Sequence, residues 1–410
     1  MNIRLGTLFS GIGAIEQTLL RMGIPHSIVF ACDNGENDLK LLPPEEQVEL
    51  DSIRKITAKK RTPNQKARLT TLEELEAQEV QQIFNNVRVL PNKGAKQRAI
   101  ENLYLTHSKA DMSIRQTYEA NYEILPSDFH WDVRFMDGRD YANKVDIMVG
   151  GSPCQAFSSN GKRGGFEDTR GTLFHDYARL ISEVQPKCFI FENVKGLLVH
   201  DKGNTWSTIK RVFRELNYRI YINTDSKGNE APLLNAVNYG IPQNRERIYL
   251  IGIRENIQLK NDFVFPAPIP LTRTNKMFLD TTVDAKYYLG QKGFEFVTSH
   301  PTRAQVGRDI QKCQKANQQF NWNGDFIFEP LNKKKHTKAI LERAYVGEWK
   351  GKKGVIRMYT PRECLRLMGF PDSFKMLHSD NTMWRQSGNS IVVDVLEHIM
   401  IELIKTGVFE

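Results

Sequence analysis

Six short runs rich in Ile, Val, Phe and Tyr, at residues 3–9, 28–33, 145–150, 187–192, 218–224 and 247–253, place apolar side chains on successive positions, the pattern of buried strands. Between several of them, residues 13–22, 173–184 and 207–216 repeat their apolar positions at helical spacing. Alternating strand and helix predicts an α/β fold with a doubly wound, mostly parallel sheet, whose ligands sit beyond the C-terminal ends of the strands. The residues after these strands include Gly11, Asp33, Cys154 and Glu192. Polar chemistry therefore collects on one edge.

Two segments break the alternation. Residues 43–110 are charged, carry only Phe84 and Tyr104 as aromatics and contain helix-favouring runs, which predicts a largely helical insertion. Residues 256–354, reached through a proline-stiffened stretch at 265–270, hold 17 Lys and Arg against 9 Asp and Glu, so they supply +8 of the chain's formal +9. They also hold 13 of the 40 aromatics, among them Phe320, Trp322, Phe326, Phe328 and Trp349, interleaved with Asn and Gln. Such a module suits nucleic acid; a solvated surface over a small aromatic core fits the composition equally well.

The overall make-up, 410 residues with 40% hydrophobic and 26% charged, is that of a globular protein and excludes fibre and disorder. The longest apolar run, 28–32, is far short of the roughly 18 residues a membrane span needs, and no secretory signal precedes it, so an intracellular protein is expected. Five cysteines, at 32, 154, 188, 313 and 364, are widely spaced and form no CxxC pair, which argues against a disulfide framework and against a zinc site.

The first strand ends in Phe9-Ser10-Gly11-Ile12-Gly13, where glycines let backbone approach a ligand. The third glycine of the dinucleotide fingerprint is replaced by Glu16, which would repel a pyrophosphate. Asp33, at the end of the second strand, is placed to accept from ribose hydroxyls. Together these suggest a nucleoside cofactor without phosphates, such as S-adenosylmethionine. Gly150-Gly151-Ser152-Pro153 must end a strand and so exposes the Cys154 thiol, a nucleophile only if its neighbourhood is electropositive. Lys162, Arg163 and Arg170 follow in a glycine-rich loop able to touch phosphates. Glu192 closes the next strand on the same edge, where loss of water would raise its pKa and let it donate a proton. Gln243, Arg245 and Arg247 alternate along a further strand and face one side.

In their order, Gly-Ser-Pro-Cys-Gln at 151–155, Glu-Asn-Val at 192–194, Gln-x-Arg-x-Arg at 243–247 and Gly-Asn-Ser at 388–390 closely resemble the motifs of the DNA (cytosine-5)-methyltransferase family, of the bacterial restriction-modification type. Thr360-Pro361-Arg362-Glu363 and Gly369-Phe370-Pro371-Asp372 add to the likeness. The resemblance implies a class I S-adenosylmethionine-dependent fold. Cys154 would add to C6 of a cytosine flipped out of the duplex, Glu192 would hold N3 and the exocyclic amine, Arg245 would contact O2 and Arg247 would brace the site. Phe9, Gly11, Gly13, Asp33 and Asp132 would line the cofactor, with Asp132 on the adenine amine. Pro153, Leu173, Asn389 and Ser390 would complete that lining. Gln155, Ser158, Lys162, Arg163 and Arg170, in a loop closing over the base, and Lys333, Lys334 and Lys335, in the basic module, would contact DNA.

The implied organisation is a catalytic and cofactor-binding domain over 1–255 carrying the insertion, a target recognition domain over 256–354, and a segment over 355–410 that returns to the catalytic domain. Its last helix is expected at 391–404, capped by Asn389 and Ser390. Double-stranded DNA is the implied partner, S-adenosylmethionine the cofactor and S-adenosylhomocysteine the product, with no metal. A monomer in the bacterial cytoplasm, at the nucleoid, is expected; a cognate restriction endonuclease acting on the same site and a solitary enzyme are both compatible with the sequence. The chain departs from the family at Asn34-Gly35, where an aromatic often follows the ribose-binding acid. An RNA (tRNA) cytosine-5 methyltransferase is the main alternative, disfavoured by the size of the basic module and the lack of a Cys-Phe-Thr signature. An inactive DNA-binding homologue is disfavoured because Cys154, Glu192, Arg245 and Arg247 occur together.

Overall fold

The computed structural model describes residues 2–153 and 172–410. The chain opens with β1 (Ile3–Leu8), α1 (Ala14–Arg21) and β2 (His26–Cys32), then leaves the sheet through α2 (Pro44–Lys55), α3 (Pro63–Arg88), α4 (Lys93–His107) and α5 (Ser113–Asn121) before β3 (Phe129–His130). The alternation resumes with β4 (Ile147–Gly150), α6 (Leu173–Val184), β5 (Cys188–Val194), α7 (Asn204–Glu215) and β6 (Tyr218–Ile222), and ends with β7 (Leu233–Asn235), β8 (Gln243–Asn244) and β9 (Glu246–Arg254). Strand order is β3-β2-β1-β4-β5-β9-β6, with β7 also on β9; among the described residues only β9 runs against the rest.

Both faces of this sheet are covered, which is why its strands read as unbroken apolar runs. One face carries α1 and the C-terminal α12 (Val393–Lys405), packed on each other. The opposite face buries Phe174, Tyr177, Phe189, Phe191, Phe213 and Tyr218 between strands and α6 and α7.

Residues 291–357 build a second, smaller sheet: α8 (Gln291–Ser299), β10 (Ala304–Val306), β11 (Gln311–Lys312), β12 (Gly324–Pro330), α9 (Lys338–Arg343), β13 (Gly347–Trp349) and β14 (Lys352–Arg357). Its order is β10-β12-β14-β13, around a core of Phe294, Val297, Val306, Phe326 and Ile356. β14 continues past Gly354 to Arg357, whose fully buried guanidinium meets Glu329 and the paired oxygens of Glu363. Glu363 also closes a capping box with Thr360 at the start of α10 (Pro361–Arg366), so the Thr-Pro-Arg-Glu motif joins the small sheet to the returning chain. α11 (Asp380–Asn389) then precedes α12. No helix among the described residues is long and apolar enough to cross a membrane.

Candidate active site

The loop after β1 turns with positive φ at Phe9 (53°), Gly11 (53°) and Gly13 (77°). Asp33, one residue past β2, holds it: one carboxylate oxygen accepts from the Gly11 N–H and the other from the Gly35 N–H, both at 2.8 Å. Burial raises the Asp33 carboxyl, and these two donors oppose the rise. The two glycines differ in purpose. A side chain at Gly11 would meet open space, whereas a Cβ on Gly13 would lie 2.2 Å from the Tyr122 ring, whose hydroxyl donates to the Gly13 carbonyl at 2.7 Å. Gly13 thus serves the packing of α5 and its following turn.

Glu16 corrects the expectation that it faces the ligand. It is fully buried in α1, accepts from the Tyr118 hydroxyl of α5, and its Oε2 has no partner among the described residues. Burial pushes its carboxyl up to about 7. The repulsion of a pyrophosphate inferred from the sequence therefore has no basis in the geometry.

Asp132 stands two residues past β3, which pairs with β2, so it shares the edge with Asp33. Its oxygens are already engaged: the Arg134 guanidinium donates from Nη2 at 2.7 Å and from Nε, the Arg134 N–H donates at 2.9 Å, and the Tyr104 hydroxyl donates at 2.6 Å. These partners hold the Asp132 carboxylate in a fixed orientation at the edge. Tyr104 belongs to α4 of the insertion and stacks on Trp131, ring centroids 5.0 Å apart. Sequence reading missed it, because nothing in a helical stretch distinguishes the one tyrosine that turns toward the sheet.

β4 ends at Gly150 and the chain passes tight against β5: a Cβ on Gly151 would lie 1.9 Å from the Glu192 carbonyl. Asn193 donates to the Ser152 carbonyl at 2.8 Å, which fastens this turn beside Glu192. Pro153 is exposed at its end. Cys154, Gln155, Ser158, Lys162, Arg163 and Arg170 lie outside the described residues. Leu173 opens α6, half-buried, directly after the Thr172 cap.

Glu192 forms an ion pair with Arg247, Nε to Oε1 3.2 Å, and burial raises its carboxyl while Arg247 and Arg245 pull it down. The two arginines divide their work opposite to expectation. Arg245 is buried and donates to the carbonyls of Gln314, Gly388 and Ser390 at 2.7, 3.1 and 2.7 Å, so it braces; Arg247 is the one on Glu192. Cys313 Sγ lies 3.4 Å from Arg245 and 3.5 Å from Arg247. Gln243 accepts from the Gln314 N–H at 2.9 Å, where β11 pairs with β8. Gln314 and Cys313, unmarked in the sequence, thus carry the small sheet's chain into the catalytic edge.

Asn389 and Ser390 do not cap α12. They end α11, α12 starts after Val392 without a side-chain cap, and Asn389 instead donates to Glu36 at 2.8 Å, beside the Asp33 turn. A proper cap needs the side chain one turn ahead of free N–H groups, and here those oxygens point elsewhere.

The three lysines of the small sheet are not equivalent. Lys333 and Lys334 are exposed, whereas Lys335 pairs with Glu329 at 2.8 Å. Burial alone would raise the Glu329 carboxyl, but Arg357, Lys335 and His336 outweigh it and hold it at about 2.

The doubly wound sheet, its glycine loop and the half-buried Glu192–Arg247 pair are the frame of an α/β methyltransferase. The chain belongs to the C-5 cytosine-specific DNA methylase family, whose model matches residues 94–405. It is 37% identical over 307 residues to the Type II methyltransferase M.SsoII of Shigella sonnei, covering 73% of both chains. With M.HpaII of Haemophilus parainfluenzae the identity is 36% over 343 residues, covering 77% of this chain and 87% of the relative. Among solved structures it superposes on a Dnmt2 methyltransferase of S. pombe with TM-score 0.57 at 16% identity, over 98% of each chain, a likeness of fold. The protein is a C-5 cytosine-specific DNA methyltransferase of the kind found in Type II restriction-modification systems.

Proposed function

We propose that the protein methylates C5 of a cytosine flipped out of a specific duplex sequence, through a covalent adduct between Cys154 and C6, as the modification enzyme of a restriction-modification system. The observation that carries this reading is the half-buried Glu192–Arg247 pair fastened beside the Gly151–Pro153 turn that leads into Cys154.

The residues of the edge suit S-adenosylmethionine: Gly11 leaves open space where a nucleoside must approach, and Asp33 fixes the loop while keeping lone pairs for ribose hydroxyls. Phe9, Pro153, Leu173 and Asn389 border the same edge. When bound, the cofactor supplies an electrophilic methyl group. The Cys154 thiolate adds to C6, Glu192 delivers a proton to N3, and C5 becomes nucleophilic enough to take the methyl. Loss of the C5 proton to a base and return of the N3 proton to the Glu192 carboxylate then expel the sulfur as thiolate and restore the aromatic ring. A carboxyl raised by burial is suited to carrying that proton. Arg247, already on Glu192, is the arginine placed to meet the cytosine O2, with Arg245 bracing behind it. The flip costs a few kcal/mol, which contacts from 155–170 and the small sheet repay. Residues 256–357 serve as target recognition domain.

Tritiated methyl transfer from S-adenosylmethionine to duplex DNA and to tRNA, with Cys154→Ser as control, tests the reading. Duplex carrying 5-fluorocytosine at the target should trap the protein in a band that survives denaturation, because fluorine cannot leave as a cation. An active enzyme that gives no adduct sinks the covalent route.

A further inference from the structure

Residues 52–72, around the turn between α2 and α3, hold seven Lys or Arg and no Asp or Glu. Three of the seven serve the fold. Arg54 pairs with Glu76 and Arg68 with Glu49, each at 2.8 Å, and Arg61 donates to the carbonyls of Ile53, Arg54 and Ile56. The remaining four, Lys55, Lys59, Lys60 and Lys66, are exposed and form no ion pair among the described residues.

The hairpin's acids lie on its stem, at Glu45, Glu46, Glu49 and Asp51 of α2 and at Glu73, Glu74, Glu76 and Glu79 along α3; Asp51, already paired with Lys40, is the one that also attracts a tip lysine, Lys55. α3 has no acidic residue in its first turn although a helix N-terminus favours negative charge, so local stability does not explain lysines there. Uncompensated like charges repel one another and weaken the fold unless an anion meets them. The turn is also rigid, fixed by Arg61 and by the capping box of Thr62 with Gln65.

The hairpin springs from the catalytic edge. Directly after Asp33, Asn37 and Asp111 exchange hydrogen bonds at 2.8 Å, and the Lys40 N–H donates to the His107 carbonyl at 2.8 Å, which pins both ends of the insertion. The 12 residues of α2 set the tip about 18 Å from its base, or about five base pairs of duplex at 3.4 Å each.

We propose that this lysine tip binds the phosphate backbone of duplex DNA flanking the methylated site. The inference rests on the reading of the chain as an enzyme of duplex DNA. A rigid tip with cations at two helix ends matches the regular phosphate rows of a duplex better than the irregular backbone of folded RNA.

The test replaces Lys55, Lys59, Lys60 and Lys66 by Ala in the full chain and measures binding to duplexes of about 8 and about 40 base pairs, centred on the target, and to a folded RNA across a salt series. On the long duplex, affinity should fall about tenfold and the slope of log K against log salt should flatten by about 0.9 for each phosphate no longer neutralised. Binding to the short duplex should not change, and the unfolding temperature of the free protein should not fall, since the variant relieves repulsion among the lysines. An unaltered slope on the long duplex overturns the proposal, as does an equal loss on both lengths; a loss confined to folded RNA makes the tip an RNA surface and overturns it too. If the parent chain methylates no duplex while the variant still shows the flattened slope on long DNA, the methyltransferase reading fails and the tip assignment stands.

Discussion

Glu192 sits where a carboxyl is deprived of water but not of partners, 3.2 Å from Arg247 and within reach of the turn that leads to Cys154. Replacing it by Gln keeps the shape and the hydrogen-bonding capacity while removing the proton. Glu192→Gln should bind DNA nearly as well as the parent and transfer methyl about 10²–10⁴-fold more slowly in a single turnover; a near-normal rate would make the residue structural. Glu16 is a different buried acid. The folded chain keeps its proton up to about pH 7 while the unfolded chain releases it near 4.5, so the folded state binds more protons between these values. Stability must then fall as pH rises through that window, by something on the order of 3 kcal/mol. Urea midpoints at pH 5 and pH 8 should differ more for the parent than for Glu16→Gln, whose remaining difference comes from other raised carboxyls such as Asp325. The sequence showed that Glu16 displaces a fingerprint glycine, but its direction was hidden, because the hydroxyl it meets, on Tyr118, lies 102 residues away.

At the scale of elements, the six apolar runs all fall in the large sheet, since a strand covered on both faces announces itself by composition alone. Direction does not. The run that forms β9 reads the same in either sense, and its reversal is fixed by the pairing with β5 and β6 on either side. The insertion's helices α2, α3 and α4 follow from their charged, aromatic-poor sequence, yet its role is set by two ends pinned behind Asp33 and by Tyr104 reaching Asp132. Tyr104→Phe removes one hydrogen bond to a charged carboxylate and leaves the ring on Trp131, so it should cost about 1.5–3 kcal/mol in thermal unfolding. Calorimetry with S-adenosylhomocysteine should show weaker binding in the same variant. Unchanged affinity would separate the insertion from the cofactor after all.

Over the whole molecule, two sheets are joined through a few backbone carbonyls. Arg245 ties the chain at Gln314 to Gly388 and Ser390, and β11 lies along β8, so the small sheet and the C-terminal return meet at the strand that carries Arg247. Charge located the small sheet in the sequence, but not this joint, since the distant backbone carbonyls that accept from the Arg245 guanidinium leave no trace in residue type. The same structure divides three adjacent lysines that look alike in sequence. Lys333 and Lys334 are free to neutralise phosphate, so their replacement by Ala should weaken binding to all duplexes and flatten the salt slope by about 0.9 per phosphate released. Lys335→Ala should act on the fold instead, because it takes a cation from the Glu329, His336 and Arg357 cluster, and its effect should appear as a lower unfolding temperature with the salt slope intact. None of these changes should alter which sequence is methylated. Under the proposed function that choice is assigned to base-edge contacts, worth roughly 1–3 kcal/mol each, from the Arg, Asn, Gln and aromatic side chains of the same sheet. Transplanting residues 256–357, cut after Arg357 so that its bond to Glu329 travels with them, into a related methyltransferase and sequencing the methylated sites tests this directly. The recipient should acquire this protein's target. If it keeps its own, recognition resides elsewhere, and the hairpin of α2 and α3 becomes the next element to exchange.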